Sequence, residues 1–236
     1  AAATLPARGR NVLLALAVLA LALPPFLVTN CWLNLLGHSG VWRGWLPWDI
    51  YSLGGAVWVL SLLLWPITLF AVTSAWRRLE PEQFECEPAL TGFALLRWLL
   101  LPVARGELAL AAVLTFVLAL NNFTVPAILQ VKVFPAELWI QFNTTFLQKP
   151  GGGFDFAAAL RLVWPLLLAP LLLLAWLAHR PVAWPRLAGA VPARLFRRQL
   201  GGAWTAGSWA LAVGLFGLSV GVPGLVRMIE LAHARH

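Results

Sequence analysis

Five long apolar stretches constrain this chain more than any other feature: residues 11–34, 54–75, 107–130, 157–178 and 204–229. Each comes close to or exceeds the roughly 20 residues that a helix needs to cross the hydrocarbon core of a bilayer. An open strand in lipid would leave its backbone N–H and C=O groups unpaired, so helix is the conformation available to these stretches. The expected fold is all-α, a polytopic transmembrane helix bundle with about five spans. Composition points the same way. The chain is 61% apolar and 11% charged, against about 45–50% and 25% in soluble domains. An ordinary soluble enzyme, a disordered tail and a coiled coil are all excluded. Prolines lie in or beside every stretch, at Pro24-Pro25, Pro66, Pro126, Pro165, Pro170 and Pro223. In water they would break the helices, whereas in a membrane neighbouring helices re-satisfy the freed carbonyls. A shorter apolar run, residues 93–102, carries Arg97. It is expected to be too short to span and to lie at the interface or beneath the bundle.

The net charge of +8 comes from arginines gathered in short clusters between the apolar runs. A nucleic-acid surface would instead show a basic stripe on a water-exposed face. Arg8, Arg10, Arg77, Arg78, Arg97, Arg105, Arg180, Arg186, Arg194, Arg197 and Arg198 fall in alternate flanking segments, and the other six basic residues fall between them. The positive-inside rule then places the N-terminus and loops 76–106 and 179–203 in the cytoplasm. The remaining loops and the C-terminus face out, and the expected location is a plasma membrane of the bacterial inner-membrane kind. The first 23 residues imitate a secretory signal, but Pro24-Pro25 stand where a small-residue cleavage site would be needed, so a retained span is expected. The sequence has no initiator Met, and an odd number of spans follows from the count. Both suggest a processed or truncated piece of something longer.

Chemistry-bearing motifs are sparse. There is no phosphate-binding loop of the G-x-x-x-x-G-K-[ST] kind, no H-E-x-x-H and no G-x-S-x-G. Cys31 and Cys86 are isolated, and the histidines are scattered through loops and tail. Neither a resident cofactor nor a catalytic site is expected, and the chain binds no ATP through a phosphate loop. Trp42, Trp45 and Trp48 cluster beside apolar runs, as interfacial belts do. Asn121, Asn122 and Thr124 lie inside the third stretch. Polar groups at membrane depth are expensive and face a bundle interior or a water-filled path. Two readings stay open for them, helix–helix hydrogen bonds and the lining of a translocation path. Loop 76–106 concentrates charge in Arg77, Arg78, Glu80, Glu82, Glu85 and Glu87. It is either a solvated excursion or a docking element for a soluble partner, where charged side chains give specificity and register.

Residues 54–131 resemble the permease subunits of binding-protein-dependent ABC importers, and among them the iron(III)-type group most, with thiamine and sulfate relatives behind. The likeness rests on Arg78-Leu79-Glu80-Pro81, Glu85-Cys86-Glu87, Gly92 and Leu101-Pro102, followed by LALAAVLTFVLALNNFTVPAILQ. The family signature has Glu-Ala-Ala, then a Gly, then Leu-Pro; here Cys86 and Glu87 replace the alanines. Upstream, ALALPPFLVTNCWLNLLG and WDIYSLGGAVWVLSLLLWPITLF are similar to the same group. FRRQLGGAWTAGSWALAVGLFGLSVGVPGL is similar to the first helix of a second permease half.

The resemblance implies that residues 1–199 are a partial permease half and that 200–236 open the next. It implies an ATPase-coupling loop with Glu85, Glu87, Gly92, Leu101 and Pro102, and a path near Asn121, Asn122 and Thr124. The implied partners are cytoplasmic ABC ATPase subunits, an extracytoplasmic substrate-binding protein, a second permease half and the lipid bilayer, with no nucleic acid. The implied role is to couple closure of the ATPases to alternating access. The rival expectation is a non-transporting membrane interaction or assembly protein, or a degenerate permease relic.

Overall fold

The computed structural model describes residues 2–45, 48–77, 79, 90–133, 163–164, 166–168, 170–175, 179 and 193–233. Among these the structure is helical and contains no strand. Two compact units are formed, one from residues 1–23, 62–112 and 182–236, the other from 24–61 and 113–181.

Helix α1 is Ala7–Ala22 and α2 is Pro25–Leu36. Between them Leu23 and Pro24 are extended, with ψ of 131° and 130°. Two consecutive prolines explain the break, since a residue preceding proline is driven out of the helical region. Pro25 then sits at the first turn of α2, where its missing N–H costs nothing. Helix α3 is Leu53–Trp76. Ser52 caps it, its Oγ accepting the Gly55 N–H at 3.2 Å.

Helix α4 runs as one continuous helix over Gly92–Leu120, with a π turn at Leu96–Leu100. The short helix α5 is Thr124–Ile128 and α6 is Ala193–Leu200. Helix α7 begins with Gly202–Phe216, passes a π turn at Gly217–Gly221 and continues as Val222–His233.

Three helices are long and apolar enough to cross a membrane: Leu53–Trp76, Gly92–Leu120 and Gly202–Val226. The broken pair α1 and α2 makes a fourth if counted as one span. Three or four of the five expected spans are thus found among the described residues, and half of 157–178 lies outside them. The boundaries of 54–75 and 204–229 need little change. The third span does. It begins at Gly92 rather than 107 and ends at Leu120 rather than 130. Residues 93–102 are therefore not a separate interfacial piece but the first turns of α4.

Prolines are accommodated in two ways. Pro102 and Pro223 each follow a π turn, closed by Leu101 N–H to the Leu96 carbonyl and by Val222 N–H to the Gly217 carbonyl. The wider turn makes room for a ring that would otherwise press on the preceding turn. Pro66 lies in regular helix. It cannot donate to the Leu62 carbonyl four residues back. Ser219 Oγ, buried in the π turn of α7, donates to that carbonyl at 2.8 Å. Beside it Trp65 meets Phe216 edge to face at 4.9 Å.

In the other unit α2 packs on α5, burying Val28, Cys31, Val125 and Leu129. Trp32 is 2% exposed and meets Trp42 and Trp58 edge to face at 6.5 and 5.6 Å, and Trp48 meets Trp58 at 5.8 Å. Offset and edge-on pairs of this kind add to the burial of the rings themselves.

Candidate functional site

Three segments far apart in sequence meet at the starts of α4 and α7. Leu79, Leu95, Leu100, Phe196 and Leu200 form a buried cluster, with Ala3, Trp76, Leu90, Leu96, Leu99 and Leu195 packed around it. These residues come from the N-terminal segment, from loop 76–106 with the base of α4, and from α6. These are the segments in which the sequence gathers most of its arginines.

Local patterning explains the assembly. In α6, Phe196 and Leu200 are one helical turn apart and buried, while Arg194, Arg197 and Arg198 stay exposed. Spacing of i, i+4 puts the two apolar residues on one stripe. Polar contacts fix the register. Trp76 Nε1 donates to the Leu100 carbonyl at 3.1 Å, and Arg197 Nε donates to the Thr4 carbonyl at 2.7 Å. Gly92 begins α4 at φ +58°, and Phe93 stacks on Trp204 at 5.8 Å. A Cβ on Gly92 would lie 3.2 Å from the Trp204 ring, so glycine serves both the backbone and the approach of α7.

The coupling residues expected from the sequence divide three ways. Glu85 and Glu87 lie outside the described residues. Gly92 starts α4 against the Trp204 ring. Leu101 and Pro102 are exposed and belong to the body of α4, beyond the π turn, rather than to a loop. An apolar count stops at Arg97 and Arg105, but the helix continues through both because their side chains are exposed.

Asn121, Asn122 and Thr124 lie at the break after α4, not inside a span. Asn121 Nδ2 donates to the Val117 carbonyl at 2.8 Å, and Asn122 Oδ1 accepts the Val125 N–H at 3.0 Å. The two amides satisfy groups that a helix end leaves open, so these residues stop α4 and start α5. Thr124 is the first residue of α5 and is half-buried.

Sequence reasoning missed Trp76, Phe196, Leu200, Trp204 and Ser219. Of these, Ser219 carries a usable signal, a hydroxyl in an apolar span, though it stands among glycines that blur it. An open apolar groove of about 640 Å³ is lined by residues of α1 and α7, among them Gly9, Leu13, Phe216 and Gly217. Among the described residues no group of His, Cys, Asp and Glu is placed to hold a metal ion. Comparison of the chain with family models, with curated proteins and with solved structures gives no match.

Proposed function

We propose that this chain is a transmembrane permease component of an ATP-driven ABC importer, taking iron(III) or a similar small solute as its cargo. One observation carries the reading. Leu79 and Leu90, which bracket the acid-rich segment 80–89, both belong to the cluster formed by the first turns of α4 and by α6, and Phe93 of those turns stacks on Trp204 at the base of α7. A soluble partner gripping that segment would pull on the base of two apolar helices at once. Loop 76–106, with Glu85, Glu87 and Gly92, is the lever in this reading, and the ATPase is on the cytoplasmic side with the N-terminus and loop 179–203.

Chain continuity supports five spans. If α4 and α7 each cross the bilayer from this cluster, the intervening chain must return between Leu120 and Ala193, and the apolar run 157–178 can supply that crossing. Asn121, Asn122 and Thr124 then lie at the far end of α4, where a path would open toward a substrate-binding protein. Leu101 and Pro102 act by letting α4 continue past its π turn rather than by touching the ATPase.

The test is a charge reversal. Glu85→Lys with Glu87→Lys should abolish cargo-stimulated ATP hydrolysis in proteoliposomes that hold the chain, its ATPase and its second half, while membrane insertion is unchanged. Stimulation that survives the reversal unaltered would sink the docking role of these glutamates. Purification of the native chain in mild detergent with no ATPase alongside would favour the rival reading, a non-transporting interaction or assembly protein.

A further inference from the structure

The exposed face of α6 is built for a partner that the leucine cluster does not supply. At 100° per residue, Arg194, Arg197 and Arg198 fall within one narrow arc of this helix, opposite Phe196, Gln199 and Leu200, which are buried. Arg197 is tied to the Thr4 carbonyl. Arg194 and Arg198 are exposed, and so is Arg8 at the start of α1. Among the described residues of this unit the acidic ones are Glu107, well into α4, and Glu230, near the end of α7.

The depth of this face is marked by its neighbours. Beyond Arg8 and Arg10, α1 exposes Val12, Leu16, Val18 and Leu19. At the base of α4 the Arg97 guanidinium lies 5.7 Å from the centre of the Trp98 ring, and Trp98 is 69% exposed. The stacked pair Phe93 and Trp204 is exposed as well. Arginine beside exposed tryptophan, followed by exposed apolar side chains, is the arrangement met where a helix enters a bilayer. The charges therefore stand at headgroup depth.

We propose that Arg194 and Arg198, with Arg8, form a docking surface for anionic phospholipid headgroups that clamps α6 against the membrane. Charge complementarity argues for this occupant, because basic residues at a membrane surface attract acidic lipid within a Debye length. The inference rests on the apolar helices lying in a bilayer and not on coupling to an ATPase, so each can fail without the other.

The experiment reconstitutes the full chain in mixed phosphatidylcholine and phosphatidylglycerol vesicles, purifies it gently, and measures the retained lipids by mass spectrometry. The wild-type chain should enrich phosphatidylglycerol over the bulk mixture. At roughly five-fold per arginine, the variant Arg194→Gln with Arg198→Gln should lose about twenty-five-fold of that preference. Both side chains are exposed, so its melting temperature should be unchanged. Arg194→Lys with Arg198→Lys should keep the enrichment, and Lys132→Gln, a charge in the other unit, should leave it intact. Equal enrichment in the wild-type chain and the glutamine variant would overturn the proposal. So would displacement of the lipid by inorganic phosphate beyond what chloride achieves at equal ionic strength, which would assign the surface to a free anion.

Discussion

Helices α3 and α7 look alike as sequence: each is apolar on every side, carries one proline and contains glycine. Their surroundings differ. In its most apolar stretch α3 is 39% buried, against 11% for α7. Leu211, Val213 and Leu225 of α7 are more than half exposed, a surface that water would not tolerate over such an area. Glycine follows the same division. Gly55 of α3 lies hard against the Ile50 carbonyl, whereas Gly207, Gly214 and Gly217 of α7 have open space where a Cβ would go. A helix that is hydrophobic all round is either buried in protein or faces lipid, and composition alone does not separate the two. The neighbours do, and they can be altered one at a time.

The largest effect is expected where α3 is most confined. In Gly55→Ala the new methyl group would fall on the Ile50 carbonyl oxygen, which is backbone and cannot rotate away. Ile50 itself is fully buried. Overpacking of this severity costs about 3 kcal/mol or more. The folded, monodisperse yield in mild detergent should collapse, together with any thermal transition. A variant that purifies and melts like the parent would show that the start of α3 is looser than its contacts suggest.

A smaller effect is expected at the seam where α3 and α7 meet. Ser219→Ala removes the donor to the Leu62 carbonyl that Pro66 has orphaned. Hydrogen bonds between membrane helices are worth roughly 0.6–2 kcal/mol, so the melting temperature should fall by a few degrees. The cycle with Pro66→Ala sharpens this. Alanine at 66 restores an N–H four residues after Leu62, and Ser219→Ala should then cost little in that background. Equal losses from Ser219→Ala with and without Pro66 would mean that the hydroxyl does not compensate for the proline.

The spans at 54–75 and 204–229 were legible because each apolar run ends in residues that stop helices or bear charge. Residues 107–130 mislead in both directions. As sequence, Arg97, Pro102 and Arg105 look like the end of the apolar region, yet exposed arginines and a π turn let α4 pass. Asn121 and Asn122 look like polar groups at depth, yet their side chains bond to the backbone and close the helix. The arginine count grouped the same three segments that the leucine cluster joins. The contacts of Ser219 with Leu62 and of Trp76 with Leu100 were not legible. Each depends on the register between two helices, which neither sequence carries alone.

The smallest effect should have the opposite sign. Gly217 starts the π turn of α7 and lines the groove beside α1, with nothing within 4 Å of the position a methyl group would take. Alanine there removes backbone freedom from the unfolded chain and meets no clash, a change worth about 0.4–1 kcal/mol in favour of the folded state. The melting temperature in detergent should rise slightly or stay level. The groove makes the result informative. If a second helix packs into it in the bilayer, close approach would depend on small residues such as Gly9 and Gly217. Gly217→Ala would then stabilise the chain in detergent and destabilise it in vesicles. A gain of the same size in both media would show that lipid chains alone fill the groove, and α7 would remain the outward-facing counterpart of α3.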